Sequence, residues 1–162
     1  MAMHLQKRIY GIENELGVIM RYPNGSWGEM GLGYAMKILE PTSTSVRVDP
    51  RLWHSNGGCS YVDTGDHPEY ATPECAFIKD VVTYAKAGEF IMNEIFSRPS
   101  PLNGSRIILI KNNLGCATDG DPEYSFGCHE NYLTHGFDFN DISMVQRFVP
   151  FLITRQIIDG AG

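Results

Sequence analysis

Residues 7–20, KRIYGIENELGVIM, alternate in character. Tyr10, Ile12, Leu16 and Val18 fall on one side of an extended chain, and Gly11, Glu13, Glu15 and Gly17 on the other. A period of two predicts a strand with one packed face and one open face. The open face carries two carboxylates side by side, which repel unless a positive charge stands between them. Two readings fit that spacing. One is a solvated polar face on an edge strand. The other is a magnesium site, because that ion takes oxygen ligands and binds through a few carboxylates together with phosphates.

A second stretch, YVDTGDHPEY at 61–70, packs two aspartates, a glutamate, two tyrosines and a histidine into ten positions. Such a segment does not build an apolar core. Tyr61 and Asp63 lie two apart and share a face of a strand predicted over 59–65. Glu69 follows after a turn expected through Gly65 and Pro68. If this strand pairs with the first, Glu13, Glu15, Tyr61, Asp63 and Glu69 converge. Without a cation their carboxyl pKa values rise strongly. With Mg²⁺ and the phosphates of ATP they form a floor for phosphoryl transfer. Asp63 is then the carboxylate least tied to metal and free to act as a general base.

The remaining chain reads as mixed structure. Residues 73–97 predict the clearest helix, with Pro73 in its first turn, Glu74 at the positive end of its dipole, and a stripe of Ile78, Val81, Val82, Ala85, Phe90 and Ile95. Gly88 weakens it locally. A second helical run covers 142–160, and Pro150 is expected to kink or split it. Strands are predicted over 106–112 and 125–135, a short helix over 34–40, loops over 21–33 and 113–124, and a connector with a short extended piece over 41–50. Some of the strand connections are too short for crossover helices, so the strands need not be parallel. The expected class is therefore α+β: one domain, a largely antiparallel sheet, and helices on one face. In the strand that contains GCHENYL, His129 and Asn131 share one face and Cys128 and Glu130 the other. The pattern leaves open which face joins the carboxylates, and a half-buried structural histidine also accounts for His129. Lys111 to Asn113, KNN, end a strand as either a substrate contact or a turn.

A chain of 162 residues with a net charge of −6 offers no broad surface for nucleic acid. No apolar run approaches the roughly 18 residues of a membrane span, and the N-terminus lacks the pattern of a secretory leader. A cytoplasmic protein with no membrane partner is expected. The four cysteines, Cys59, Cys75, Cys116 and Cys128, form no CxxC pair, so they are expected as buried free thiols. No P-loop, dinucleotide fingerprint or GxSxG elbow is present. A nucleotide site would rest on carboxylates and metal ions.

GIENELGV, YVDTGDHPEYATPEC, AGEFIM, KNN, YSFGCHENYL and PFLITRQIIDGAG occur in an order and spacing that resemble the N-terminal part of one family. It is the Pup–protein ligase and Pup deamidase/depupylase family, of the proteasome accessory factor A type, related to glutamine synthetase and the carboxylate–amine ligases. The resemblance implies a curved antiparallel sheet that cradles ATP and Mg²⁺. It implies phosphorylation of the C-terminal glutamate of a Pup-like modifier, then attack by a lysine of a target protein to give an isopeptide bond. Carried over by position, Glu13, Tyr61 and Glu69 match magnesium ligands. Glu15 matches the second glutamate of the first-strand motif and is placed on the metal face. Asp63 matches the base and Thr72 a nucleotide contact. GIENELGV is nearer the ligase pattern GIETEFGV than the deamidase pattern GTEVEYGI. There is no room for the long deamidase insertion before Asp63, and Cys128 is the residue usual in ligases. A depupylase or deamidase of the same cradle, and a non-catalytic Pup-binding module, are the alternatives.

Two departures stand out. Cys59 occupies the nucleotide-contacting position where the family has an arginine, in NGGCSY against NGARLY. That change removes a charge-assisted contact unless another basic residue supplies it. Family members also continue beyond GAG. Residues 1–162 are therefore expected to be the N-terminal portion of a single glutamine synthetase-like ligase domain, its cradle incomplete, with an uncovered sheet edge and poor activity in isolation.

Overall fold

The computed structural model describes residues 8–29, 39–98, 104–111 and 126–159. Strands β1 (Tyr10–Glu15), β2 (Gly17–Arg21), β3 (Trp27–Glu29), β4 (Ser45–Val48), β5 (Arg51–His54), β6 (Cys59–Asp63) and β7 (His67–Ala71) precede helix α1 (Ile78–Phe96). Strands β8 (Arg106–Ile110) and β9 (Cys128–Tyr132) then lead to helix α2 (Ile142–Asp159). Every strand pair is antiparallel. They form a six-stranded sheet, β4-β5-β6-β7-β1-β9, and a three-stranded sheet, β3-β2-β8. The expected α+β class with an antiparallel sheet is what the chain adopts. The short helix expected at 34–40, the loop around Cys116, and Asn112 and Asn113 of KNN lie wholly or mostly outside the described residues.

The alternation over 7–20 is real, but it belongs to two strands. Leu16, buried, donates its N–H to the Pro68 carbonyl at 2.8 Å, and the chain passes there from one sheet to the other. β1 pairs with β7 and β9, whereas β2 pairs with β3 and β8. Part of the expected loop at 21–33 is thus a hairpin. The turn after β6 is confined to Thr64–Asp66, with Gly65 and Asp66 at positive φ, and Pro68 lies inside β7.

Both helices pack on the same side of the six-stranded sheet. Ser60 donates from that side to the Met92 sulfur of α1 at 3.3 Å, and Glu130 of β9 meets Arg155 of α2 at 2.6 Å. The core between α1 and the sheets is Leu16, Met20, Leu52, Tyr70, Met92, Ile95 and Phe96. Helix α1 starts at Ile78 and not at Pro73. Tyr10 and Cys75 exchange both backbone hydrogen bonds at 2.9 Å, which holds the 73–75 segment extended beside β1. Tertiary pairing there overrides a good local start signal. The buried stripe is Val81, Gly88, Met92, Ile95 and Phe96, while Ile78, Val82 and Phe90 are exposed. Helix α2 runs through Pro150 without splitting. No helix of the described residues is long and apolar enough to cross a membrane. Cys59 and Cys75 are buried as expected; Cys128 is exposed, on an edge strand.

Gly88 is where the helix approaches the sheet. A Cβ there would overlap the Tyr70 ring, itself buried and fixed by a 3.0 Å hydrogen bond from Asn56. The glycine that weakens an isolated helix is needed for docking. Gly88→Ala gains up to about 1 kcal/mol of helix propensity and forces overpacking that costs roughly 1–3 kcal/mol. We expect a net loss of stability in urea unfolding, with helix content retained by circular dichroism.

Candidate active site

The side of the six-stranded sheet opposite the helices is acidic, and strand register builds it. Glu15 lies opposite Glu69, and Glu69 opposite Tyr61. Asp63 lies opposite His67, and Glu13 sits between His129 and Ala71. Because side chains alternate, these residues share one face across β9, β1, β7 and β6. The face left open by the sequence pattern is thereby assigned. His129 and Asn131 join the carboxylates, and Glu130 points to the helices. There, burial would raise the Glu130 carboxyl, but hydrogen bonds with Arg155 and Tyr132 outweigh burial and hold it below the usual range.

Glu69 is the centre of the face. It is 1% exposed, and its Oε1 has no hydrogen-bond partner among the described residues. Burial pushes its carboxyl up to about 7; a hydrogen bond with Tyr61 opposes the rise, and the charges of Glu13, Asp63 and Glu15 add to it. The Tyr61 phenol is pushed well above its ordinary range by burial, then by Glu69 and Glu13. One donor atom each from Glu13, Glu69 and His129 lie within 4.8 Å of one another, and so do atoms from Glu15, Asp63 and Glu69. Opposed ligands of Mg²⁺ stand roughly 4 Å apart, twice a bond of about 2.1 Å. Both groups fit a divalent cation of that size, and Glu69 belongs to each. Glu69 Oε1, buried at their junction without a hydrogen bond among the described residues and 3.9 Å from His129 Nδ1, is the donor such an ion would satisfy.

The supporting contacts were less visible in the sequence. His67 Nδ1 lies 2.7 Å from Glu15 Oε2, and the Gly127 N–H donates to the same oxygen at 2.8 Å. The Phe126 ring packs on His67 at 4.4 Å. A Cβ on Gly127 would come within 2.7 Å of Glu15 Oε1, so a side chain there would push the carboxylate from its present position. His129 Nδ1 lies 3.1 Å from Glu13 Oε2. His67 stands opposite Asp63 across a three-residue turn, so reading the hairpin register would have found it.

Two further expected contacts flank the carboxylates. Thr72 follows β7, and its Oγ1 accepts the Ile12 N–H at 3.0 Å. Cys59 is buried at 4% exposure on the acidic face. Burial raises its thiol pKa, and the nearby Arg51 charge pulls the other way. The Arg51 guanidinium itself lies 5.0 Å from the Tyr61 ring centroid.

The raised Glu69 pKa fixes the sign of a pH effect in the cation-free protein. The unfolded chain ionises this group near 4.5, whereas the folded protein keeps it protonated to about 7. The folded state therefore holds the extra proton in that window, and stability falls as pH rises through it, by about 1.4 kcal/mol per unit at most. We expect urea unfolding in EDTA to show lower stability at pH 7.5 than at pH 4.5 from this group. Glu69→Gln should flatten that component.

Residues 8–162 match the family model described as Pup-ligase protein. The chain is 38% identical over 165 residues to the Pup–protein ligase of Acidimicrobium ferrooxidans, which covers 98% of this chain and 34% of that protein. It is 37% identical over 161 residues to the Pup–protein ligase of Corynebacterium kroppenstedtii, covering 96% and 32%. Among solved structures it resembles a chain of the complex between the prokaryotic ubiquitin-like protein Pup and its ligase PafA. The TM-score is 0.74 at 29% identity, over 95% of this chain and 31% of that one. The chain thus spans about a third of the length of these relatives. Its fold is the glutamine synthetase-like one expected from the sequence, and it belongs to the Pup ligase family.

Proposed function

We propose that this chain supplies the metal- and ATP-binding floor of a cytoplasmic ligase that joins a Pup-like protein to lysines of target proteins. The observation that carries the reading is Glu69, buried with an unpartnered oxygen among Glu13, Glu15 and Asp63. So much negative charge in a desolvated place favours a bound cation. Likeness to ligases named for Pup, and to a ligase solved with Pup, supports the choice of modifier.

In this reading Glu13, Glu69 and Tyr61 hold Mg²⁺, with Glu15 on the same face, steered by His67 and Gly127. Magnesium supplies charge neutralisation for the phosphates of ATP. Thr72 contacts the nucleotide through its hydroxyl hydrogen, since its oxygen already accepts from Ile12. Cys59 lies where a nucleotide contact is expected but brings no positive charge. The modifier's C-terminal glutamate takes the γ-phosphoryl group to become an acyl phosphate. The target lysine attacks the acyl carbon, phosphate leaves, and Asp63 accepts the amine proton. Asp63 lies at the end of β6, beside a turn that is exposed from Thr64 to Asp66, where a protein substrate has room to approach.

The test is adduct formation with Pup ending in glutamate, ATP, Mg²⁺ and a lysine-bearing acceptor, read as a mass shift. Asp63→Asn should lower adduct formation by about 10²–10⁴-fold while Mn²⁺ binding by paramagnetic resonance persists. Glu69→Ala should abolish both. Full turnover by Asp63→Asn would remove the assigned base. Release of a pre-attached tag without adduct formation would make the protein a hydrolase. Binding of Pup with ATP left intact would make it a binding module.

A further inference from the structure

Among the described residues, the acidic face carries one cation that the site as set out above does not use. Of the residues that the six strands place on this face, Arg51 is the only lysine or arginine. Arg47 of β4 faces the other way, opposite Leu52, and is bound to Asp49 at 2.7 Å. Arg155 is held by Glu130 on the helix side, and Lys86 and Lys111 both pair with Glu89. Arg51 makes no ion pair among the described residues. Its guanidinium lies against the Tyr61 ring, 5.0 Å from the centroid, and Tyr61 is the cross-strand neighbour of Glu69.

That placement has chemical consequences. A guanidinium stacked on an aromatic ring is pre-oriented, and its N–H edges remain free to donate. A polyphosphate drawn to a cation at Glu69 and Tyr61 would keep surplus negative charge on its outer oxygens. Arg51 stands one side chain away from that place and offers the planar fork that matches phosphate oxygens. We propose that Arg51 is the residue that clamps the polyphosphate of the nucleotide, with Tyr61 as its platform. The inference rests on the ATP-dependent reading above and names the basic group of that site.

Titration of the purified protein with ATP, in the presence of Mg²⁺, tests it, with adenosine and Mn²⁺ titrated in parallel. Arg51→Ala should weaken ATP binding by about tenfold or more and leave adenosine and Mn²⁺ affinities unchanged. Arg51→Lys, which keeps charge but loses the planar stack, should fall between. Equal weakening of ATP and adenosine would mean that Arg51 serves the base or the fold, and would overturn the proposal. Unchanged ATP affinity in Arg51→Ala would overturn it while leaving the ligase reading intact. If the unsubstituted protein binds no ATP with Mg²⁺, the ligase reading fails, and the clamp fails with it.

Discussion

The pairing of β7 with β6 on one side and β1 on the other is the constraint on which the rest depends. It stacks Tyr61, Glu69 and Glu15 in one line across three strands, and Ser60, Tyr70 and Asn14 in the next. The first line is the acidic face and the second packs toward α1. A slip of one residue would send Tyr70 to the open face and bury Glu69 under the helix. Apolar packing of Tyr70 against Gly88 and the Asn56 hydrogen bond therefore hold the carboxylates in place from behind. The core stabilises one register, and that register determines the site.

The two faces meet opposite electrostatic demands. On the helix side, the charged Glu130 is answered by Arg155 within the chain. On the open side, Glu15 is answered by His67 and Gly127, and Glu13 by His129. Glu69 Oε1 has no hydrogen-bond partner among the described residues, only the same His129 ring nitrogen 3.9 Å away. Among the described residues the other buried side-chain polar atoms are hydrogen-bonded, and the one that is not marks a place for something from solution. The same logic sets Arg51 apart on the cationic side: a donor group held against Tyr61, with no ion pair among the described residues.

Much of this was legible in the sequence. The alternation in 7–20 and the spacing of Tyr61, Asp63 and Glu69 express the geometry of a pleated strand, which needs no tertiary information. What escaped is tertiary. The switch of sheets at Leu16 is invisible because alternation continues through it. β4 falls in a segment rich in Pro, Ser and Thr that reads as a connector with a short extended piece, and β5 lies just beyond it with no pattern of its own, so Arg51 has no place in the sequence reading. Pro73 and Glu74 look like a helix start, but Tyr10 captures Cys75 first. His67 stood in plain view, yet its role depends on Glu15, 52 positions away.

That separation bears on how the protein folds. The β6–β7 hairpin closes over a short turn, so Tyr61 and Glu69 can meet early and at small entropic cost. The contacts of Glu15 with Gly127 and of Glu13 with His129 span 112 and 116 residues and need β9 to find the far edge of β1. Pairings so distant in sequence are slow to form. Pairing of β1 with β7 already sets Glu15 beside Glu69, but until β9 docks Glu13 lacks His129 and Glu15 lacks the Gly127 N–H. A chain emerging during synthesis would thus complete its acidic face last, when Gly127 and His129 close on carboxylates already aligned by β1, β6 and β7.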